Sequence, residues 1–522
     1  MKVIQKIVLH NFKRFRYIEI PCNENLNIFI GDNESGKSTL LQAIDLVSRG
    51  SYRRVEDIGL NRLFNTDAVR EFMASDRNYN NLPKIIVELY LAESGEISLA
   101  GTNNTQRREC EGLAMICEPD EGYSSIIVNS LRARDATFPF EFYKIDFHTF
   151  GGTTYNGHTR KHISMTIDTL TIGNQYSMDE YVHDLYSART TKEQQLQLRH
   201  NYHIAKEQFV QGTLRTFLPN GSNACQFSIK DNSSNNIETA LTLQYDGVPV
   251  ENKGTGQLCF IKMELALKSA RDSVDAILIE EPENHLSYAK MLQLIRQIQN
   301  TTNKQLFICT HSDMIATRLG LRKCTMLSGD LQRFVQLRDI SEETAKFFMK
   351  APDNNMLQYV LAKKALLVEG DAEYILMDKF VKSISGQSLE EIGIAVIAVD
   401  GRCFKRYLEI ARILGIKTAV VTDNDGDYDV NIIQNYADYT SGQYPNIRIF
   451  SEANNELYTY EASIYSVNET VCDRLFSGAT RTRTVLEYML ANKSEVAYRL
   501  SIAEEQIIVP QYISNAIQWL MS

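Results

Sequence analysis

Ala365-Leu366-Leu367-Val368-Glu369-Gly370-Asp371-Ala372-Glu373 passes from a short apolar run directly into a cluster of acids. The pattern returns downstream, where Thr418-Ala419-Val420-Val421-Thr422 ends in Asp423-Asn424-Asp425-Gly426-Asp427. Between the two, Ile394 to Val399 is a third apolar run, exiting at Asp400-Gly401, and Glu373 to Ser383 has helical character. Short apolar runs alternating with helices predict a mainly parallel α/β sheet. Such sheets collect functional groups at the carboxyl ends of their strands. Glu369, Asp423 and Asp425 are therefore expected to converge. Crowded carboxylates repel one another unless a cation lies among them, and Mg²⁺ and Mn²⁺ prefer oxygen ligands. Two such ions can activate a water and stabilise a leaving oxygen. The alternative is a set of polar loop residues at strand ends.

A second strand-to-loop transition lies near the start of the chain. Leu26-Asn27-Ile28-Phe29-Ile30 leads into Gly31-Asp32-Asn33-Glu34-Ser35-Gly36-Lys37-Ser38-Thr39, and a helix is expected from Thr39 to Val47. This is the P-loop pattern in its strand–loop–helix context. Its glycines let backbone N–H groups face phosphate oxygens, Lys37 reaches the β- and γ-phosphates, and Ser38 serves Mg²⁺. Asn33, Gly36 and Thr39 complete the expected phosphate contacts.

Ala276-Ile277-Leu278-Ile279-Glu280-Glu281 reads as a buried strand ending in two acids, as a Walker B strand does. Glu280 stands where Asp is usual and supports the metal, while Glu281 is the expected base for the attacking water. Leu306 to Cys309 is another strand and ends in Thr310-His311-Ser312. His311 reads either as a γ-phosphate sensor or as a structural histidine. Lys253-Gly254-Thr255-Gly256-Gln257 precedes a helical run to Ser269. It is either a degenerate signature that closes over ATP of an opposing subunit or a plain helix cap.

The formal net charge of -10 argues against a protein that coats DNA generally, although local patches and bound cations still permit DNA contact. No apolar run is long enough to cross a bilayer, and the opening residues lack a signal-peptide core, so a cytoplasmic protein is expected. The cysteines are scattered without a Cys-x-x-Cys pair, which disfavours both a zinc site and a disulfide framework. Lys405 and Arg406, with Arg402, form one candidate phosphate-contacting cluster, and Arg481 with Arg483 another. Either could equally be solvated surface.

The amino-terminal motifs, together with Ile7 to Phe15, resemble the RecF/SMC branch of ABC-type ATPases. The carboxyl-terminal acids resemble the Toprim domain of topoisomerases, primases and some nucleases. The two in this order, with Glu280-Glu281-Pro282-Glu283-Asn284-His285-Leu286, resemble the OLD (overcoming lysogenization defect) family of ATP-dependent nucleases. That family includes Gabija-type and retron-associated anti-phage effectors. The resemblance implies an ABC-type head over 1–345, within which a polar helical stretch, at about 160–220, reads either as an inserted dimerisation element or as a solvated helix face. It further implies a connector over 346–361 and a Toprim domain over 362–522. Leu457-Tyr458-Thr459-Tyr460-Glu461 resembles the family's Thr-Leu-Glu segment, with Tyr460 in place of Leu. Asn492 to Ala497 resembles the segment bearing the active-site lysine, here Lys493. On this basis Glu369, Asp371, Glu373, Asp423, Asp425 and Glu461 are candidate ligands for two metals, and Lys493 a stabiliser of charge on the scissile phosphate. Asp371 and Glu373 also suit helix capping, and Lys493 an exposed helix face.

The expected activity is an ATP-coupled, Mg²⁺- or Mn²⁺-dependent DNA endonuclease in anti-phage defence. It is expected to act as a homodimer or larger assembly, with a defence partner protein or a retron-type RNA/DNA component. Two other readings stand beside it: a RecF/SMC-like repair ATPase whose Toprim domain binds DNA without cutting, and a nucleotide-gated module that recruits a partner.

Overall fold

The computed structural model describes residues 2–133, 135–157, 159–169, 175–217, 228–230, 236–268, 274–328, 333–351, 355–399, 403–440, 442–477 and 483–522. Arg402, Arg481 and Asp400 lie outside them. The chain forms two compact units, residues 1–311 with 325–334, and residues 312–324 with 335–522. The grouping carries residues 312–324, which include the helix Asp313–Leu319, into the second unit, so the chain crosses between units before the expected connector. Among the described residues no helix is long and apolar enough to cross a membrane.

Besides the two-stranded pair Gln244–Tyr245 and Val248–Pro249, the first unit holds two larger sheets among its described residues. One is antiparallel, with Phe15–Pro21, Ile4–Phe12, Ile85–Leu91 and Cys110–Pro119 in that order, and Tyr143–Thr149 also pairing with Cys110–Pro119. The other has Leu26–Gly31, Gln305–Cys309, Ala276–Glu280 and Ser164–Asp168 side by side and parallel. Cys324–Leu327 and Phe334–Gln336 extend it beyond Leu26–Gly31. Leu26–Gly31 and Gln305–Cys309 are buried throughout, which is why they read as continuous apolar runs rather than alternating ones. Helix Lys37–Arg49 joins both sheets in one apolar cluster. Its Leu40, Ile44 and Val47 lie in that cluster with Ile7, Val87 and Leu113 of the antiparallel sheet and Leu278 and Phe307 of the parallel one.

The helical insert starts later than expected, because Ser164–Asp168 is an edge strand of the parallel sheet rather than helix. Helices Gln175–Arg189 and Lys192–Phe209 follow. None of Lys192–Phe209 is buried within the chain.

The second unit is built on a parallel sheet with the order Ile394–Ala398, Lys364–Val368, Lys417–Val421, Ile447–Phe450. Leu366, Val368, Ala419 and Val421 pack in one core with Leu376 and Phe380 of helix Asp371–Ser385, Ile464 of Tyr460–Phe476, Leu500 of Lys493–Ile502 and Ile513 of Gln511–Met521. The fold is thus a P-loop ATPase head and a Toprim-type α/β domain.

Candidate functional site

The P-loop leaves its buried strand through Gly31 and enters helix Lys37–Arg49 through Gly36. Gly36 has φ 101°, and a Cβ there would lie 2.4 Å from the Phe15 ring, so both backbone conformation and space demand glycine. Lys37 folds back over the loop, its ammonium donating to the Gly31 carbonyl (2.8 Å) and the Asp32 carbonyl (2.9 Å). Burial lowers its pKa, against the nearby charges of Glu281, Asp32 and Glu280. The loop opens on a pocket of about 420 Å³ lined by Asn33, Gly36, Lys37, Ser38, Thr39, Glu281 and His311 together with Lys13 and Arg14.

The Walker B acids come from the end of Ala276–Glu280, next but one to the P-loop strand. Glu280 bonds the Ser38 side chain, and burial with the Asp168 and Glu281 charges raises its pKa. Parallel register sets Asp168 directly beside Glu280. Glu281 turns out of the strand at φ 46°. Its carboxylate accepts from Asn284 Nδ2 at 2.7 Å and lies 3.7 Å from His311 Nε2. Burial and the Lys37 charge lower the His311 pKa, which keeps the imidazole neutral near pH 7. Glu283, to which the sequence reading assigned no role, fixes that segment. Its carboxylate accepts from the Thr310 hydroxyl at 2.9 Å and from the His311 N–H at 2.6 Å. Thr169 is a second such residue, its hydroxyl donating to the Glu280 and Glu281 carbonyls, each at 3.0 Å. No local motif marks Thr169, and the motif that contains Glu283 does not show its role, because each acts on a segment distant in sequence.

Gly254, Thr255 and Gly256 do not line this pocket. They begin helix Thr255–Lys268, with the Gln257 and Leu258 N–H groups donating to the Gly254 carbonyl. Gly254 and Thr255 are exposed. A Cβ on Gly256 would lie 2.1 Å from the His285 carbonyl oxygen, so this glycine is required by close backbone approach.

In the second unit the carboxyl ends of Lys364–Val368 and Lys417–Val421 lie next to each other. Glu369 Oε1 accepts from the Thr422 hydroxyl at 2.5 Å and the Asp423 N–H at 2.9 Å, which joins the two exits. Glu373, in the first turn of its helix, accepts from the Gly370 N–H at 3.1 Å and is buried. Helix Tyr460–Phe476 brings Glu461, only 2% exposed, and helix Lys493–Ile502 begins with Lys493. The Lys493 ammonium stands 3.2 Å from Glu461 Oε2. That contact is an ion pair without hydrogen-bond alignment, since both Glu461 oxygens are buried and lack a hydrogen-bond partner.

Burial, then the charges of Glu369, Glu373 and Glu461, push Asp423 up to about 8. Burial, then Glu369 and Glu461, push Glu373 to about 7. Lys493 is raised: burial opposes its charge but is outweighed by Glu461, Asp423 and Glu373. Glu369, Glu373, Asp423, Glu461 and Lys493 therefore form one electrostatic cluster. Asp371 and Asp425 are exposed and are not among its leading charges. Among the described residues no three acids, histidines or cysteines are already closed around one ion-sized point. The donor set nevertheless fits a hard divalent cation: all oxygens, an excess of negative charge, and two buried Glu461 carboxylate oxygens that no aligned hydrogen bond satisfies, one of them ion-paired with Lys493.

Sequence pattern alone missed two tyrosines. The Tyr460 and Tyr512 rings are buried with their hydroxyls raised well above the usual range by burial and by the charges of Glu373 and Asp423. Of the candidate DNA contacts, Arg406 is committed to Thr344 Oγ1 (3.1 Å) and Glu343 (3.2 Å). Lys405 stands 5.8 Å over the Tyr436 ring, and Arg483 is exposed.

The AAA ATPase domain model matches residues 1–209 and 190–316. The model described as the overcoming lysogenization defect protein-like TOPRIM domain matches residues 360–425. The Old nuclease of Escherichia phage P2 is 24% identical over 168 residues, 30% of this chain and 28% of that protein. The DNA replication and repair protein RecF of Stenotrophomonas maltophilia is 39% identical over 56 residues, 10% of this chain and 15% of that protein. The chain thus spans under a third of the length of the curated relatives it matches. Among solved structures, the C-terminal region of the Burkholderia pseudomallei OLD protein is 18% identical with a TM-score of 0.25, covering 31% of this chain and 97% of that one. With the ATPase match running through more than half of the chain and the Toprim match following it, the protein belongs to the AAA ATPase domain family and is an OLD-family ATPase–Toprim protein.

Proposed function

We propose that this protein is an ATPase-linked, divalent-metal-dependent nuclease that nicks or cuts DNA at the Toprim cluster. The observation that carries the reading is the gathering of Glu369, Glu373, Asp423 and Glu461 at the carboxyl end of the sheet's two inner strands with Lys493 beside them. Glu369, Asp423, Glu461 and Glu373 would hold Mg²⁺ or Mn²⁺, which would supply Lewis-acid chemistry at a phosphodiester. Thr422 and the Asp423 N–H hold the Glu369 carboxylate in place. Lys493, half exposed, is placed to meet negative charge developing on a scissile phosphate.

In the head, Lys37 and the loop N–H groups take the phosphates of ATP, while Ser38 and Glu280 support its cation. Glu281 accepts the proton of the attacking water, and His311, kept neutral, reads the γ-phosphate. Gly254, Thr255 and Gly256 act on ATP of a second copy, which makes the working form a homodimer or larger assembly in the cytoplasm. The resemblance to anti-phage OLD proteins supports a defence role.

The test is cleavage of supercoiled and linear DNA by the purified chain with Mg²⁺ or Mn²⁺, with and without ATP, beside Asp423→Ala. Metal-dependent cutting that vanishes in the variant, while ATP hydrolysis persists, is the expected result. Cutting that survives Asp423→Ala puts the nuclease elsewhere. No cutting under any condition favours a repair ATPase or a partner-recruiting module.

A further inference from the structure

Tyr460 is the residue of the acidic site that its own fold leaves unexplained. It occupies the first turn of helix Tyr460–Phe476, next to Glu461, and its ring is 2% exposed within the apolar core of the second unit. Its hydroxyl is buried and makes no hydrogen bond. A buried unpaired hydroxyl is costly, and phenylalanine would fill the same core without that cost. Glu461, the adjacent residue, has two buried carboxylate oxygens without an aligned hydrogen bond, one of them ion-paired with Lys493 at 3.2 Å. A donor and two acceptors, neighbours in sequence and buried together, thus fail to satisfy one another. Tyr512 does not share the anomaly, because its hydroxyl bonds Ser463.

Resting on the metal-dependent reading above, we infer that Tyr460 is a positioning residue of the Toprim site. Its hydroxyl is the hydrogen-bond donor that a ligating carboxylate of the Glu461, Glu373 and Asp423 cluster takes up when a divalent cation is bound. A donor that fixes a ligating oxygen orients the ligand set and tunes its affinity, as outer partners of metal ligands generally do. A hydroxyl that the chain's own groups leave unpaired is what a site organised around a bound cation would show.

The experiment compares full-length wild type, Tyr460→Phe and Asp423→Ala without nucleotide. Mn²⁺ affinity is measured by titration calorimetry and by the EPR signal of free Mn²⁺, and melting temperature is measured in EDTA. Tyr460→Phe is expected to melt at or above the wild-type temperature in EDTA, yet to bind Mn²⁺ roughly tenfold or more weakly. Mn²⁺ affinity within twofold of wild type overturns the inference while leaving the metal reading intact. A lower melting temperature in EDTA, or failure to fold, also overturns it, because the hydroxyl would then serve the metal-free fold. Absence of any Asp423-dependent Mn²⁺ binding in wild type defeats the metal reading itself, and the role of Tyr460 with it.

Discussion

Asp45→Asn tests whether the P-loop helix is anchored by a buried charge network. Asp45 Oδ1 accepts from Arg49 Nε at 2.7 Å and from the Thr166 hydroxyl at 2.8 Å, and its Oδ2 lies 3.1 Å from Arg54. Arg49 also reaches Asp184 of the insert at 2.8 Å. The Asp45 and Arg49 side chains are only 3% and 7% exposed, so the pair is shielded from water and salt. Asparagine keeps the volume and one acceptor but removes the charge that offsets Arg49 and Arg54. Breaking a buried pair costs about 3–5 kcal/mol. Arg49 retains Asp184, which points to the lower end, about 3 kcal/mol. At about 2–4 °C per kcal/mol for a large domain, the head should melt at least about 6 °C lower. Burial acts to raise Asp45 and Asp184, but for each the Arg49 charge and further partners outweigh it, and both are lowered. A depressed acid contributes stability above its unfolded pKa and loses it as pH falls through the folded value. The deficit of the variant should therefore be full at pH 7 and shrink below about pH 4. Urea denaturation followed by far-UV circular dichroism at pH 7 and pH 3 reads both effects. A loss under about 1 kcal/mol at pH 7, or the same loss at both pH values, would refute the argument.

Glu281→Gln should keep ATP binding but slow hydrolysis about 100-fold or more, the usual contribution of a general base. Nucleotide binding and phosphate release separate the two, and near-normal turnover would move the base elsewhere. Gly36→Ala forces a methyl toward Phe15 at a positive φ, at a strain of about 1–3 kcal/mol. It should weaken ATP at least about tenfold by calorimetry, and unchanged affinity would mean that the loop relaxes freely. Lys493→Ala should cut DNA cleavage about 100-fold while leaving Mn²⁺ affinity unchanged or tighter, since it removes a cation 3.2 Å from Glu461. Weaker Mn²⁺ binding would assign Lys493 to holding the ligand set together.

The strand-end acids were legible because a parallel sheet brings the carboxyl ends of its strands to one side. Glu369 and Asp423 needed only their flanking apolar runs to be placed. Glu461 and Lys493 sit on later helices with no such flank, so only the resemblance pointed to them. Asp371 and Glu373 illustrate the limit of motif spacing. Two residues apart on a helix they point about 200° apart, so Glu373 turns inward and Asp371 faces solvent. Asp425 lies in a turn at φ 50° and is likewise exposed. The antiparallel sheet was mostly hidden: Cys110–Pro119 is interrupted by Gly112 and Glu111, and its partner Tyr143–Thr149 alternates weakly. Ser164–Asp168 is a short edge strand whose burial depends on a neighbour more than a hundred positions downstream.

The contact between Gly256 and His285 has a mechanical meaning. Where elements meet through side chains, those can rotate to absorb a small displacement. Here the first turn of helix Thr255–Lys268 rests on the bare carbonyl of the loop that begins at Glu281, with room for no side-chain carbon between them. Such a joint has no slack. A shift of the strand-exit loop toward the helix start would therefore be met by backbone rather than by a yielding side chain, as a cam meets its follower.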